Sequence, residues 1–228
     1  WYTKKTGVFR VAIEKITNGK VNEMFKELTI DKFTETLASD SPVPGGGSAS
    51  ALAGATAVSL VSMVASLTIG KTGYEEYWDD MKKIKDKMEE YRFFFLEAMD
   101  KDAASYTEVM NCYKLPKSTD DERKVRIKAI QDTLYKAAIV PLEIAEKAIE
   151  VFDYAREVVK NGNKNAASDG AVAALMARTA VKGALNNVEI NAASIKDQGR
   201  KAQLMDRISA LEDEADILER KVLRHVEF

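Results

Sequence analysis

Thirty consecutive residues without a charged side chain, from 41 to 70, constrain the fold of this chain more than any other feature. The stretch opens with SPVPGGGS and continues from Ser50 to Ile69 mainly with Ala, Ser, Val and Leu. A helix of this composition has no polar face for water, so protein or lipid must surround it. Ser, Thr, Gly and Ala insert into lipid poorly, and no basic cluster flanks the stretch. We therefore expect a helix buried in a bundle or dimer, and no membrane partner.

The rest of the composition excludes several classes of protein. The chain has 34 Lys and Arg against 36 Asp and Glu, which leaves no basic surface for nucleic acid. Its lone cysteine, Cys112, cannot form an internal disulfide, which favours a cytoplasmic location. With a single histidine, His225, the chain cannot form a metal site that needs several histidines, and most His-based catalytic triads are not expected. Proton transfer must therefore use carboxylates, lysines, hydroxyls or bound water.

Hydrophobic residues recur every three or four positions along most of the remaining chain, which predicts long helices. These are expected over 31–39, 79–111, 121–159, from Ser168 or Asp169 to about 196, and over 198–226. The sixth predicted helix is the uncharged stretch described above. Short connections between them favour an all-α antiparallel bundle. Residues 1–23 differ in pattern, with a hairpin-type turn at 17–20, and are interpreted as a leader or upstream segment. Residues 24–228 form the predicted helical domain.

Asp102 lies where the apolar repeat of residues 81–109 calls for a hydrophobic side chain. A carboxylate there must be paired, protonated or directed into a cavity. Its alternatives are a structural ion pair and a catalytic proton carrier. In the following helix Pro141 lacks an N–H group, so the carbonyl of Ala137 loses its helical donor.

Several other residues are candidates for binding, each with a structural alternative. Gly45, Gly46, Gly47 and Ser48 precede the uncharged helix, where backbone N–H groups could hold an anion or merely form a flexible turn. The remaining candidates are Lys71, Asn163, Asp169, Asn187 and Asn191. Lys71 either binds an anion or is a solvent-exposed residue that ends the uncharged stretch. Asn163 and Asp169 are either functional or helix caps. Asn187 and Asn191 share one helix face, where two amides invite a polar ligand.

An ordered set of short motifs resembles one family. They are Phe33 with Leu37-Ala38-Ser39, Pro44-Gly45-Gly46-Gly47-Ser48, Met63-Val64, Leu67-Thr68, Gly70-Lys71, Asp100-Lys101-Asp102-Ala103, Lys114-Leu115-Pro116-Lys117 with Glu122-Arg123, Val140-Pro141-Leu142, Gly162-Asn163, Ser168-Asp169, and Asn187-Val188 with Asn191. Together they resemble the formiminotransferase-cyclodeaminase C-terminal domain family, which includes stand-alone methenyltetrahydrofolate cyclohydrolases. The resemblance covers residues 28–215.

This resemblance implies an all-helical homodimer with a folate site at the subunit contact. The substrate would be a tetrahydrofolate derivative, with no metal and no nucleotide. Cyclodeaminases of the family convert 5-formimidoyltetrahydrofolate to the 5,10-methenyl form and release ammonia, whereas cyclohydrolases open the methenyl ring with water. Asp102 and Asp169 are then the candidate proton carriers. The other candidate residues would hold the pterin and the glutamate tail, with either the helix start at Gly45–Ser48 or Lys71 taking the carboxylates of the tail.

The length of the chain from Met24 onward matches a stand-alone protein, so cyclohydrolase is the expected activity. Cyclodeaminase is the alternative. A family member with altered chemistry, or a non-catalytic helical interaction protein, is the third possibility. Binding of a reduced folate separates the enzymes from a scaffold.

Overall fold

The computed structural model describes residues 24–226, which contain six α-helices and no strand. The helices are α1 (Ile30–Leu37), α2 (Gly46–Thr68), α3 (Trp78–Tyr113), α4 (Asp120–Asn161), α5 (Ala167–Ala193) and α6 (Gln198–Leu223). The all-α fold predicted from the sequence is confirmed. The prediction for residues 1–23 lies outside the described residues.

Local capping explains most of the helix boundaries. Thr29 accepts a hydrogen bond from the Lys32 N–H and begins α1, and Thr119 with Glu122 forms a capping box at the start of α4. The start of α5 differs from the prediction, which named Ser168 or Asp169 as the cap. Asn163 instead caps a short 3₁₀ turn over Lys164–Ala166, and α5 follows directly from it.

Helix α2 occupies the centre of the bundle and packs against α3, α4 and α5. It runs antiparallel to α3, because Gly47 lies beside Asp102 while Gly54 lies beside Phe95. Close contact depends on the glycines: a Cβ atom on Gly54 would lie 2.6 Å from two carbons of the buried Phe95 ring. The small residues of the uncharged stretch thus permit the close helix spacing.

Helix α4 runs antiparallel to α3 and α5, and it continues through Pro141 without a break. The carbonyl of Ala137, which Pro141 leaves without a helical donor, accepts a hydrogen bond from Asn191 Nδ2 of α5 at 3.2 Å. Helix α6 packs on α4 and α5. Asp216 of α6 forms ion pairs with Arg178 and Lys182 of α5 at 3.1 and 3.0 Å.

Burial of α2 within the described chain is incomplete. The helix is long and apolar enough to cross a membrane by length and composition, and 56% of its most apolar window is buried in the bundle. Apolar side chains remain exposed on α2 and on the adjacent α5. This α2/α5 face consists of Leu60, which is half-buried, and the exposed Met63, Leu67, Val172, Leu175 and Ile190.

Candidate active site

The carboxyl group of Asp102 lies against the first turn of α2. The Ser48 hydroxyl is 3.3 Å from Asp102 Oδ2, and the backbone N–H of Ser48 donates to the same carboxyl group. A Cβ atom on Gly47 would overlap all three heavy atoms of that group. Glycine at position 47 is therefore what allows the carboxyl group to reach the helix start.

Ser48 joins Asp102 to the main chain of α3. Its side chain is fully buried, and Ser48 Oγ lies 2.9 Å from the carbonyl oxygen of Met99 as well as 3.3 Å from Asp102. A hydroxyl group has one proton to donate, so it donates to only one of these acceptors at a time. An ionised Asp102 can accept that proton, whereas a protonated Asp102 can donate to Ser48 Oγ while Ser48 donates to Met99. The pair can accommodate both protonation states.

Two opposing effects act on the Asp102 pKa. Burial raises it, because the charged form loses hydration, while the hydrogen bonds from the Ser48 hydroxyl and N–H lower it. The net shift is upward from the ordinary value of an aspartate. Such a carboxyl group is suited to taking a proton from water and returning it, because both of its protonation states are accessible nearer neutral pH.

The start of α2 was predicted to hold an anion of the ligand. In the structure the first turn instead faces the carboxyl group of the protein's own Asp102, through Gly47 and Ser48. Gly45 and Gly46 precede these contacts, and Gly46 lies beside the side chain of Asn187. A Cβ atom on Gly46 would lie 3.2 Å from Asn187 Nδ2.

The two candidate asparagines of α5, Asn187 and Asn191, use their amide hydrogens on the protein and leave their oxygens available. Asn187 Nδ2 donates to the carbonyl of Gly183 at 2.8 Å, and Asn191 Nδ2 donates to that of Ala137. Neither Oδ1 atom accepts a hydrogen bond from residues 24–226, and both side chains are half-buried. Asn191 therefore has a structural role that the sequence pattern did not predict, and both oxygens can accept from a ligand.

The remaining candidates lie at the opposite end of the bundle. Lys71 follows the end of α2, and the backbone N–H of the buried Asn163 donates a hydrogen bond to Thr68 Oγ1. Asp169 lies in the first turn of α5. Because α2 has 23 residues, the two ends are separated by about 34 Å. Within one subunit these three residues do not share a site with Asp102.

The contact between Gly47 and Asp102 was the feature that sequence reasoning missed. The two residues are 55 positions apart in the chain, and only the antiparallel packing of α2 on α3 brings them together. No local pattern predicts it. As for metals, no cluster of three or more His, Cys, Asp or Glu side chains suited to an ion occurs within residues 24–226.

Comparison with known proteins gives concordant matches. The sequence profile of the formiminotransferase-cyclodeaminase family matches residues 29–210. The chain is 38% identical over 198 residues to methenyltetrahydrofolate cyclohydrolase of Methylorubrum extorquens, covering 87% of this chain and 95% of that protein. It is 32% identical over 189 residues to formimidoyltransferase-cyclodeaminase of Rattus norvegicus, covering 83% of this chain and 35% of that protein.

The fold has a counterpart among solved structures. Formiminotetrahydrofolate cyclodeaminase of Thermotoga maritima superimposes with a TM-score of 0.79 at 28% sequence identity. The match covers 88% of this chain and 96% of that one.

Proposed function

Because the chain belongs to the formiminotransferase-cyclodeaminase family, we propose that it hydrolyses 5,10-methenyltetrahydrofolate to 10-formyltetrahydrofolate. The observation that carries this proposal is the 38% identity to a cyclohydrolase along 95% of that relative's length. The cyclodeaminase matches have lower identity, at 32% for the rat protein and 28% for the Thermotoga structure.

Asp102 is the proposed general base and acid of this reaction. Its carboxylate takes a proton from a water molecule as the water oxygen bonds to the methenyl carbon. The bond between that carbon and N5 then breaks, and Asp102 returns the proton to N5. The remaining hydroxyl proton leaves to solvent as the formyl group forms on N10. Ser48 supports both states of Asp102, since its hydroxyl can donate to the carboxylate or to Met99.

Cyclodeamination is the second candidate, favoured by the Thermotoga structure. That cyclodeaminase is matched over 96% of its chain, so chain length does not separate the two activities. In this reaction N10 attacks the formimidoyl carbon, and an acid protonates the departing ammonia. Asp102 could supply that proton as well.

Parallel assays of the purified protein separate the two reactions. We expect enzyme-dependent loss of the methenyl absorbance from 5,10-methenyltetrahydrofolate, in a buffer with a chelator and without nucleotide. Ammonia release from 5-formimidoyltetrahydrofolate, with no acceleration of methenyl loss, would assign the protein to the cyclodeaminases instead. A protein that binds no reduced folate would be a scaffold.

We also propose that the protein is a cytoplasmic homodimer formed through the α2/α5 face. The face exposes Met63 and Leu67 at 38% and 49% on a helix without any charged residue. Such apolar surface is typical of subunit contacts. The proposed partners are the folate substrate and a second copy, with no nucleic acid, membrane, metal or nucleotide required.

A two-fold axis across the middle of α2 would also unite the two groups of candidate residues. Two α2 helices related by such an axis run antiparallel. The partner's Lys71 and the partner's Asp169 would then lie near Gly45 and Asp102, at the subunit contact that the family resemblance implies for the folate site.

A further inference from the structure

We propose that the arm formed by the ends of α3 and α4 binds the p-aminobenzoyl ring and the glutamate tail of the folate. The arm comprises residues 103–113 of α3, the connection 114–119 and residues 120–130 of α4. This inference rests on the proposed function and adds to it the location of the tail. It assigns the tail to Lys114 and Lys117, which the site described above does not include.

The arm starts level with the beginning of α2 and extends beyond it. Asp102 is level with Gly47 in the first turn of α2, yet α3 continues for eleven more residues to Tyr113, about 16 Å farther. Cys112 of α3 remains in contact with Thr133 of α4 along this extension. The face of α3 that packs against α2 before Asp102 therefore has no α2 residues beside it over residues 103–113.

An exposed stripe of large side chains occupies that surface. Tyr106, Met110 and Tyr113 are 4, 8 and 11 residues beyond Asp102, which places them on the same helix face. They are exposed at 40%, 39% and 45%. At the far end of the stripe the Arg126 guanidinium lies over the Tyr113 ring, 5.6 Å from its centroid. Nearer the carboxyl group, the phenol ring of Tyr106 and the thioether of Met110 present a polarisable surface that suits the planar p-aminobenzoyl ring.

The tip of the arm has a defined shape. Arg123 Nη1 donates to the carbonyls of Lys117 and Ser118 at 3.0 and 2.9 Å, and Arg126 Nη2 donates to that of Tyr113 at 3.0 Å. Glu122 Oε2 accepts from the N–H groups of Ser118 and Thr119. These bonds hold both ends of the loop against α4.

The charges at the tip favour an anion. Asp120 pairs with Arg123 at 2.6 Å and Asp121 with Lys124 at 3.5 Å, while Glu122 is engaged by the loop. Lys114 and Lys117 are exposed and form no ion pair with any residue in the described part of the chain. Asp120 and Asp121 thus each have a cationic partner, and Lys114 and Lys117 remain for the carboxylates of a ligand.

The order of these groups matches the order of groups in a folate. With the one-carbon bridge at Asp102, the p-aminobenzoyl ring would extend over Tyr106 and Met110, and successive γ-linked glutamates would reach Lys114 and Lys117. Substrates with several glutamates should therefore bind more tightly than those with one, and the difference should shrink as salt screens the lysines.

The test compares monoglutamate and triglutamate forms of 5,10-methenyltetrahydrofolate. We expect the double variant Lys114→Ala/Lys117→Ala to raise KM for the triglutamate about tenfold, with a small effect on the monoglutamate and on kcat. Calorimetric titration with p-aminobenzoyl-triglutamate, which carries no one-carbon unit, should show the same loss of affinity. Tyr106→Ala should weaken both substrate forms.

The matched control is Lys85→Ala/Lys160→Ala, which removes the same charge from exposed sites elsewhere on α3 and α4. It should leave the triglutamate KM unchanged. The proposal would be overturned if Lys114→Ala/Lys117→Ala raised KM equally for the monoglutamate and the triglutamate, or left the affinity for p-aminobenzoyl-triglutamate unchanged. It would also be overturned if Lys71→Ala raised the triglutamate KM, relative to the monoglutamate KM, more than the arm variant does. If the protein did not turn over the methenyl substrate but still bound the triglutamate probe in a manner that depends on Lys114 and Lys117, only the proposed reaction would be contradicted.

Discussion

At the scale of single residues, the candidate chemistry depends on how Gly47, Ser48 and Asp102 meet. A carboxyl group near a helix start is ordinarily stabilised as the anion, yet burial raises the Asp102 pKa on balance. The protein thus keeps a proton acceptor that is less firmly ionised than a surface aspartate. This balance leads to two predictions.

Asp102→Asn should lower kcat by about 10²- to 10⁴-fold with little change in substrate binding, because the amide cannot carry the proton. For the wild type, kcat should rise with pH as Asp102 ionises, with a midpoint above the ordinary aspartate range. Steady-state rates across pH check both points. Near-wild-type turnover of the variant would make Asp102 structural.

Although Asp102→Asn should lower activity, it should raise the free energy of unfolding at neutral pH. The folded protein binds the Asp102 proton more tightly than the unfolded chain, so wild-type stability falls as pH rises from the unfolded pKa through the folded one. The Asn variant lacks this loss. Urea unfolding should therefore show the variant more stable than wild type at pH 8, with the difference vanishing at acid pH.

Gly47→Ala should displace the Asp102 carboxyl group, because the added methyl would overlap it. We expect a loss of about 1–3 kcal/mol in the free energy of unfolding, together with lower kcat. Gly45→Ala is the matched control for stability, since the nearest atom to its Cβ is 3.8 Å away. Equal unfolding free energies for the two variants would contradict the close contact.

At the scale of elements, the bundle replaces a hydrogen bond missing from one helix with a donor side chain from another. Pro141 leaves the Ala137 carbonyl without its α4 donor, and Asn191 of α5 supplies one at 3.2 Å. Two long helices are thereby joined by a specific polar contact at a buried carbonyl.

Asn191→Ala should therefore lower the free energy of unfolding by about 1–3 kcal/mol, because it leaves a buried acceptor without a partner. In a Pro141→Ala background the cost should be smaller, since residue 141 then donates its own N–H to Ala137. Chemical denaturation of the four proteins of this double-mutant cycle measures the difference. Additive costs would show that Asn191 does not replace the missing helical bond.

At the scale of the whole molecule, the arrangement of α2 links stability to assembly. The uncharged helix is enclosed by α3, α4 and α5 on its inner side, while its outer side contributes Met63 and Leu67 to the α2/α5 face. Burying that face in a homodimer would complete the enclosure that its composition demands.

Met63→Glu should convert the proposed dimer to a monomer at micromolar concentration, because the contact would bury two unpaired carboxylates. Sedimentation velocity measures the change. The control is Ile217→Glu on the exposed side of α6, which should stay dimeric. A wild-type monomer would overturn the assembly proposal.

Mixed dimers test whether the two ends of α2 meet across the subunit contact. When inactive Asp102→Asn and Asp169→Asn subunits are unfolded together and refolded, random pairing should restore about a quarter of the wild-type sites. The measurement compares the activity of the co-refolded mixture with the summed activities of the two variants refolded separately, and the mixture should be more active. No recovery would mean that Asp169 does not complete the site of a partner.

Sequence reasoning predicted the helices well because their information is local. The three- and four-residue repeat indicates where helices form, and observed boundaries differ from the expected ones by only a few residues. The start of α5 was predicted less well, because Asn163 caps a short preceding turn. The candidate site residues remain predictions that await the experiments above.

By itself, the sequence determined an all-helical fold, the need to enclose an uncharged helix, and a chemistry limited to groups other than histidine, because composition and periodicity are properties of the chain alone. Only the tertiary structure decided which candidates could act together. It placed Asp102 against Gly47 and Ser48, and separated them from Lys71, Asn163 and Asp169 by the length of α2. The physical reason is that helix direction and packing, which involve residues distant in sequence, set these contacts.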